Sequence, residues 1–385
     1  MATYCTPAMM RFGNPVRNTV ERKLLEPGIE SNDHHLFLST MRPIIVWILA
    51  LAVWGCKTDT PDMAYQEESY ALSSTDSLIN REYIRYTFEQ GDDYSGRVIA
   101  TLLHRPPLDS ASQKAVLYIH GYGDYFFQYH VGEFFRQQGY HFYALELRKY
   151  GRSLLPHQRP NYTRDLREYD PDIEAALDQI SQNGQDTLLL NGHSTGGLTA
   201  SLYAARGAQR DQIDGLILNS PFFAFSGSGL EKAGIRLFAG LSRFNPNAYV
   251  PRDSEGIYGQ SIHRDHYGEW DYNLVWKPRK GFPLYYAWLK AIRRGHKAVR
   301  NGLDLKIPVL VLCSDKSYTG DGFSEEAMRA DAVLNVETMQ ARARNLGAQV
   351  DIRVIENGMH DVFLSAEAVR QEAFRQTADW LNQQW

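Results

Sequence analysis

From Thr187 to Arg206 the chain reads TLLLNGHSTGGLTASLYAAR. The apolar run at the start predicts a buried strand, and the stretch after the glycines predicts a helix. Between them, Gly192 to Gly196 places glycines on both sides of Ser194, which suits a sharp turn that presents a serine side chain. We therefore expect Ser194 to be a nucleophile. The backbone N–H of Thr195, at the start of the helix, is a candidate oxyanion donor.

The remaining chain predicts an α/β fold with a mostly parallel sheet covered by helices. An opening hairpin is predicted over 85–88 and 96–104. Short apolar runs then alternate with helical stretches, which is typical of parallel strands buried on both faces. The runs are 115–119, 141–145, 187–190, 215–218, 309–312 and 350–355, and the helical stretches are 172–180, 198–206, 336–346 and 366–381. The interval 222–304 breaks this rhythm and is predicted to be an inserted cap.

A candidate general base follows the last apolar run. His360 lies in the loop before the terminal helix, after Ser194 and after the candidate acids in chain order. Serine, then acid, then histidine is the order found when the nucleophile lies on a strand–turn–helix of this kind. We expect His360 to accept the proton of Ser194.

Two aspartates could orient that histidine. Asp315 directly follows the apolar run 309–312, whereas Asp331 lies beyond a Gly-rich, acidic stretch. One helix and one strand fill the 29 residues from Asp331 to His360, which favours Asp331 as an acid displaced by an insertion. Asp315 remains the alternative.

The first apolar run of the predicted parallel sheet ends in His120-Gly121-Tyr122-Gly123-Asp124. A loop after an early strand supplies the second oxyanion donor in enzymes with such an elbow, and the backbone N–H of Tyr122 is the candidate. His120 leads into this loop, so we expect it to orient backbone through a side-chain hydrogen bond rather than to act as a base.

These motifs resemble the monoacylglycerol lipase and lysophospholipase branch of the α/β-hydrolases, whose domains are also described as serine aminopeptidase-like. Residues 120–124 with Tyr129 are similar to its H-G-x-x-[DE] loop, and residues 192–197 are similar to its G-H-S-x-G-G elbow. The resemblance runs from about residue 85 to the end. It implies a serine hydrolase that cleaves carboxylic esters of lipid-like substrates, with a cap over an acyl pocket and no cofactor. The insertion between the two aspartates departs from the family pattern.

Two other functions stay open. A serine aminopeptidase of the same fold would need acidic cap residues to bind a substrate ammonium group, and Glu231, Glu255 and Glu269 are available. A non-catalytic, ligand-binding surface lipoprotein is the second alternative.

The N-terminal region predicts export rather than catalysis. Residues 41–56 combine a basic start, an apolar run of signal-peptide length and a terminal Val-Trp-Gly-Cys, which resembles the lipobox of bacterial lipoproteins. Cys56 is then the lipidation site, and the protein is predicted to be anchored in the bacterial cell envelope. Residues 1–40 are expected to precede the native start or to be disordered. Residues 57–80 are predicted to be a flexible tether, and 81–385 the hydrolase domain.

Overall composition limits the possible partners. The formal net charge is −4 and no basic patch is evident, so we expect no nucleic-acid partner. Only three cysteines occur, far apart in sequence, which predicts neither a disulfide framework nor a Cys-based metal site.

Overall fold

The computed structural model describes residues 73–109, 111–252 and 255–385. The predicted signal segment, Cys56 and residues 1–40 lie outside the described residues, so the predictions made for them stay predictions. No helix in the described ranges is both long enough and apolar enough to cross a membrane.

Eight strands form one sheet in the order β1-β2-β4-β3-β5-β6-β9-β10. The β1–β2 and β2–β4 pairs are antiparallel and the other pairs are parallel. The predicted opening hairpin and the six predicted parallel runs are therefore confirmed. The strands are β1 (Ile84–Asp93), β2 (Gly96–Arg105), β3 (Lys114–Ile119), β4 (His141–Glu146), β5 (Thr187–His193), β6 (Gly215–Asn219), β9 (Val309–Ser314) and β10 (Val350–Ile355).

Helices cover both faces of this sheet. They are α1 (Ser74–Glu82), α2 (Tyr129–Gln137), α3 (Asp170–Gln182), α4 (Thr195–Arg206), α5 (Gly229–Leu241), α6 (Ile257–Ile262), α7 (Tyr286–Asn301), α8 (Val336–Ala343) and α9 (Glu367–Gln384). Helices α3, α4, α7 and α8 contribute to the core on one face, and α1, α2 and α9 to the core on the other. The central strands β3, β5, β6 and β9 are buried along almost their whole length because both of their faces are covered. The predicted α/β fold is confirmed.

The C-terminal end of the predicted tether is a helix. Ser73 caps α1 by accepting a hydrogen bond from the N–H of Asp76, and both Asp76 and Ile79 are fully buried. Asp76 pairs with Arg152 of the sheet domain at 2.8 Å. The prediction of a flexible segment is therefore wrong from Ser74 to residue 80. The prediction rested on the polar composition of this segment, which does not show that Asp76 forms a buried ion pair and that Ile79 is buried.

The stretch predicted as a cap adds no strand to the eight-stranded sheet. Its described residues form α5, α6, α7 and a small antiparallel ribbon of β7 (Tyr249–Val250) and β8 (Leu284–Tyr285). Helix α7 packs between α5 and α4, so it joins the cap to the sheet domain. The cap is thus in contact, through α7, with the helix that follows Ser194.

Candidate active site

The turn between β5 and α4 holds Ser194 in an unusual backbone conformation. Its φ is 52° and its ψ is −115°, a strained geometry for a residue with a Cβ atom. The neighbouring glycines permit this turn. A Cβ at Gly196 would collide with the carbonyl oxygens of Ile119 and His120, and one at Gly192 would lie 2.6 Å from the Cα of Gly197. The chain therefore crosses itself too closely here for any larger residue.

Ser194, His360 and Asp331 form a continuous hydrogen-bonded chain. The Oγ of Ser194 lies 3.0 Å from Nε2 of His360, and Nδ1 of His360 lies 3.0 Å from Oδ2 of Asp331. All three side chains are buried. With the proton on Nδ1 donated to the carboxylate, Nε2 is free to accept the proton of the serine hydroxyl.

Asp331 reaches the histidine although a long insertion separates it from β9. The N–H of Asp331 donates to the carbonyl of Lys316, and the N–H of Tyr318 donates to the carbonyl of Asp331. The insertion thus leaves and returns at one point beyond the end of β9. The other oxygen of Asp331 accepts the N–H groups of Val333 and Leu334, both at 2.8 Å, which fixes the carboxylate.

Asp315 takes a different place. Its Oδ1 accepts the backbone N–H of Asn357 at 2.8 Å, and its own N–H donates to the carbonyl of Ile355. These bonds join the ends of β9 and β10. Of the two candidate acids, the structure brings only Asp331 to His360.

The two predicted oxyanion donors flank Ser194. Tyr122 and Thr195 both line the cavity above the serine. The first intrahelical bond of α4 runs from the N–H of Leu198 to the carbonyl of Ser194. The N–H of Thr195 lies before this bond and therefore has no acceptor within the helix. On the other side, the N–H groups of Gly121 and Gly123 donate to Asp124 and Asn161. The N–H of Tyr122 lies between these two.

His120 acts on the backbone, which confirms the role predicted for it. Its Nδ1 donates to the carbonyl of Gly121 at 2.9 Å, and its Nε2 accepts the N–H of Leu147 at 3.1 Å. Burial lowers the pKa of His120 to about 4, so the ring stays neutral at pH 7. The histidine ties the Tyr122 loop to the end of β4.

One ion pair between cap and sheet domain was not foreseen. Lys277 of the cap places its Nζ 2.8 Å from Oδ1 of Asp124, the last residue of the Tyr122 loop. The aromatic rings of Phe127, Tyr258 and Tyr272 surround the ammonium group at 5.5 to 5.8 Å. Burial raises the pKa of Asp124, but the charge and hydrogen bond of Lys277, together with the nearby His193 and His120, outweigh it, so the pKa lies below its usual value. The loop charge pattern alone gave no sign of this partner, 153 positions away.

The loop that carries His360 is also held by hydrogen bonds to Asn219. Asp361 accepts a hydrogen bond from the side-chain amide of Asn219 at 2.6 Å, and Asn219 in turn accepts the N–H of Val362 at 3.2 Å. Asn219 is the last residue of β6. The end of that strand therefore holds the histidine loop at the elbow.

A cavity of about 360 Å³ opens above Ser194 and His360. Its apolar wall is formed by Phe222, Ile257, Ile262, Trp288 and Val333, and its cationic wall by Arg252, Lys277 and Arg279. Within the described ranges, no three His, Cys, Asp or Glu side chains are grouped so that they could hold a metal ion.

Comparisons with known proteins agree with this architecture. The family model described as serine aminopeptidase, S33 matches residues 110–367. A soluble variant of monoglyceride lipase from Saccharomyces cerevisiae is 17% identical over 78% of this chain and 97% of its own, with a TM-score of 0.60. Monoacylglycerol lipase from Paleococcus ferrophilus is 18% identical over 79% of this chain and 100% of its own, with a TM-score of 0.55.

A thermophilic esterase from Thermogutta terrifontis is 18% identical over 78% of this chain and 98% of its own, with a TM-score of 0.51. At such identities these three structures show a shared fold. No curated protein sequence matches the chain. The family model covers about two thirds of the residues, including the elbow, the Tyr122 loop and His360. The chain therefore belongs to the serine aminopeptidase, S33 family of α/β-hydrolases.

Proposed function

We propose that this hydrolase cleaves carboxylic esters of lipid-like substrates through an acyl-enzyme intermediate. The observation that carries the proposal is the hydrogen-bonded chain Ser194–His360–Asp331 at the floor of a cavity. A buried serine paired with a histidine, itself held by a carboxylate, is the arrangement that activates a hydroxyl for acyl transfer.

The reaction then follows from the positions of these groups. Nε2 of His360 takes the proton of Ser194 as Oγ bonds to the ester carbonyl carbon, and the N–H groups of Tyr122 and Thr195 stabilise the resulting oxyanion. The imidazolium gives its proton to the departing alcohol oxygen. A water molecule, deprotonated by His360, then attacks the acyl carbonyl carbon. The imidazolium returns that proton to Oγ of Ser194 as the acyl–Oγ bond breaks, which releases the carboxylic acid. Asp331 stabilises the imidazolium in both steps.

The wall of the cavity supports an ester with an apolar part. Aromatic and aliphatic side chains, most of them from the cap, are part of its lining. The same fold carries monoglyceride and monoacylglycerol lipases in the structures that this chain resembles.

None of the three glutamates named for the aminopeptidase alternative forms an ammonium site in the cavity. Glu231 caps α5, Glu255 pairs with Arg279 and His266, and Glu269 pairs with Arg370. None of these three glutamates lines the cavity. The exposed Arg252 in the lining would repel a protonated amine, which favours an ester over a peptide with a free N-terminus.

The test is hydrolysis of para-nitrophenyl esters, from acetate to palmitate, by the full-length chain and its Ser194→Ala variant. We expect the substitution to lower kcat by about 10⁶-fold, as for a lost nucleophile. Ser201→Ala is a matched control, because this buried serine of α4 only bonds the carbonyl of Gly197. Undiminished turnover by Ser194→Ala would refute the proposal. Cleavage of aminoacyl para-nitroanilides in place of esters would support the aminopeptidase alternative.

We further propose that the chain is a lipoprotein of the bacterial cell envelope, anchored through Cys56. The support is the apolar run of residues 44–54 followed by Gly55 and Cys56. In a bacterial host, Cys56→Ala should release the protein from the membrane fraction and remove the mass of the acyl chains, whereas Cys5→Ala should change neither. An unaltered mass and membrane fraction for Cys56→Ala would refute the anchor.

A further inference from the structure

The cationic wall of the cavity comes entirely from the cap. Arg252, Lys277 and Arg279 line it, and the only carboxylate among the lining side chains is that of Asp124. A neutral ester requires no such charge. The presence of three cations in the lining therefore needs an explanation. Ion pairs within the protein explain two of them, Lys277 and Arg279.

Lys277 and Arg279 are neutralised by carboxylates. Lys277 pairs with the buried Asp124 at 2.8 Å. Arg279 lies 2.8 Å from Glu255 and 3.8 Å from Asp265. Both cations are partly or fully buried and hold parts of the cap and the Tyr122 loop together. Their charges are used within the protein.

Arg252 differs from these two. Among the residues that the structure describes, no carboxylate oxygen lies within 4.0 Å of its guanidinium, and its side chain is exposed to the cavity mouth. The guanidinium lies against the backbone of Gly281, where an added Cβ would be 3.1 Å from Nη1 and where φ is +70°. Only glycine fits this turn without strain. The Arg252 side chain therefore packs closely against Gly281.

The arginine lies close enough to the Tyr122 side chain to affect its ionisation. Its charge lowers the pKa of the Tyr122 phenol, against the larger raising effect of burial, so the two side chains are electrostatic neighbours. Tyr122 in turn donates its hydroxyl proton to the carbonyl of Pro283, beyond Gly281. Arg252, Gly281 and Tyr122 all line the cavity above Ser194.

We propose that Arg252 is a binding subsite for an anionic group, a carboxylate or phosphate, on the ester that this enzyme cleaves. The inference rests on the proposed esterase function and specifies its substrate class. A guanidinium binds either anion through two parallel hydrogen bonds. The apolar wall takes the hydrocarbon part while Arg252 holds the charged end, so the preferred substrate is amphiphilic and negatively charged.

Two matched substrate pairs test this and separate the two anions. The first is para-nitrophenyl hexanoate against the para-nitrophenyl half-ester of hexanedioic acid, which adds a carboxylate to the acyl part. The second is monooleoylglycerol against monooleoylglycerol phosphate, which adds a phosphate to the alcohol part. We expect the full-length enzyme to favour the anionic member of one pair in kcat/KM by about tenfold at low salt. That preference should shrink as ionic strength rises.

Arg252→Gln should remove the preference, so that kcat/KM falls far more for the anionic member than for the neutral one. Arg243→Gln is the control, because it removes the same charge from an exposed position of the cap outside the cavity lining. The proposal is overturned if neither anionic substrate is favoured, or if both variants lose the preference equally.

The outcomes separate this proposal from the one that it rests on. If Ser194-dependent cleavage of the neutral esters persists without any anionic preference, the esterase function stands and the Arg252 subsite falls. If no ester of either pair is cleaved, both proposals fall.

Discussion

Asp331 and Asp315 show how position in space, rather than in sequence, selects one of two similar carboxylates. Both residues follow β9 in the chain and precede β10. By sequence alone, the His360 loop after β10 could contact either of them. Backbone bonds between residues 316–318 and Asp331 close the insertion at its base. Asp315 is already committed to the N–H of Asn357. Asp331 is left to hold the imidazole of His360.

Substituting the two aspartates separately tests this assignment. Asp331→Asn should leave the fold intact but favour the wrong tautomer of His360, and kcat for ester hydrolysis should fall by about 10⁴-fold. Asp315→Asn loses only a charge-assisted bond between β9 and β10, so its kcat should stay near that of the unmodified enzyme. Steady-state kinetics on para-nitrophenyl esters measures both. A larger loss for Asp315→Asn would reverse the assignment.

At the same scale, local patterns located some site residues and not others. Ser194 and Tyr122 belong to short motifs whose flanking strand and helix can be recognised in the sequence, and His360 was located by chain order. Lys277 could not be found in this way. It pairs with Asp124 across 153 positions, and nothing in an irregular cap sequence tells which of its cations turns inward.

Buried ion pairs hold helix α1 against the sheet domain. Arg152 contacts both Asp76 of α1 and Glu146 of β4, and all three side chains are almost fully buried. Tyr125 donates its hydroxyl proton to Asp76 and accepts the N–H of Asn273 in the cap. The helix thus joins the sheet domain and the cap through one polar cluster.

Removing the central cation should loosen this element. Arg152→Ala leaves two buried carboxylates without their partner, and we expect a loss of about 3–5 kcal/mol in the free energy of unfolding. Urea denaturation followed by circular dichroism measures it. Arg97→Ala is the control, since both side chains of its pair with Glu89 are more than half exposed to solvent and the pair should contribute little. An Arg152→Ala protein that unfolds at the same urea concentration would show that the cluster is not a stabilising contact.

The pair of Lys277 and Asp124 connects the cap with the loop that supplies the Tyr122 amide. Lys277→Met should lower both stability and ester kcat/KM, because Asp124 is then buried without a countercharge next to the N–H of Gly121. Adding Asp124→Asn removes that charge, so the double variant should regain part of the lost stability, a coupling of about 0.5–3 kcal/mol. Urea denaturation of both single variants and the double variant measures it. Strictly additive losses would show that the two residues do not interact.

For the molecule as a whole, the strands of the sheet could be predicted from the sequence, but helices α1 and α2 and the interior of the cap could not. Parallel strands such as β5 and β9 are nearly continuous apolar runs because helices cover both of their faces. Helices α1 and α2 were missed, since α1 buries only two residues and α2 is one short amphipathic segment in an aromatic stretch. The interior of the cap depends on contacts among distant aromatic residues, for which no sequence period exists.

The joint between cap and sheet domain makes global stability depend on pH. His296 of α7 donates from Nε2 to the carbonyl of Phe222 at 2.8 Å, and its ring packs edge-on against Phe222 and Phe225. Burial lowers its pKa to about 4, outweighing the hydrogen bond, and the charges of Arg293 and two further arginines lower it further. The unfolded chain, with a histidine pKa of about 6.5, binds this proton more readily.

Stability from His296 is therefore fully present above about pH 6.5 and is lost as the pH falls toward 4. In urea denaturation, the free energy of unfolding should fall by about 2 kcal/mol more for the unmodified protein than for His296→Gln between about pH 7 and pH 5. Other titrating groups, such as Asp170 with its pKa raised by burial to about 6, are common to both proteins and cancel in the difference. An equal loss of unfolding free energy in the two proteins would mean that protonation of His296 does not weaken its contact with Phe222.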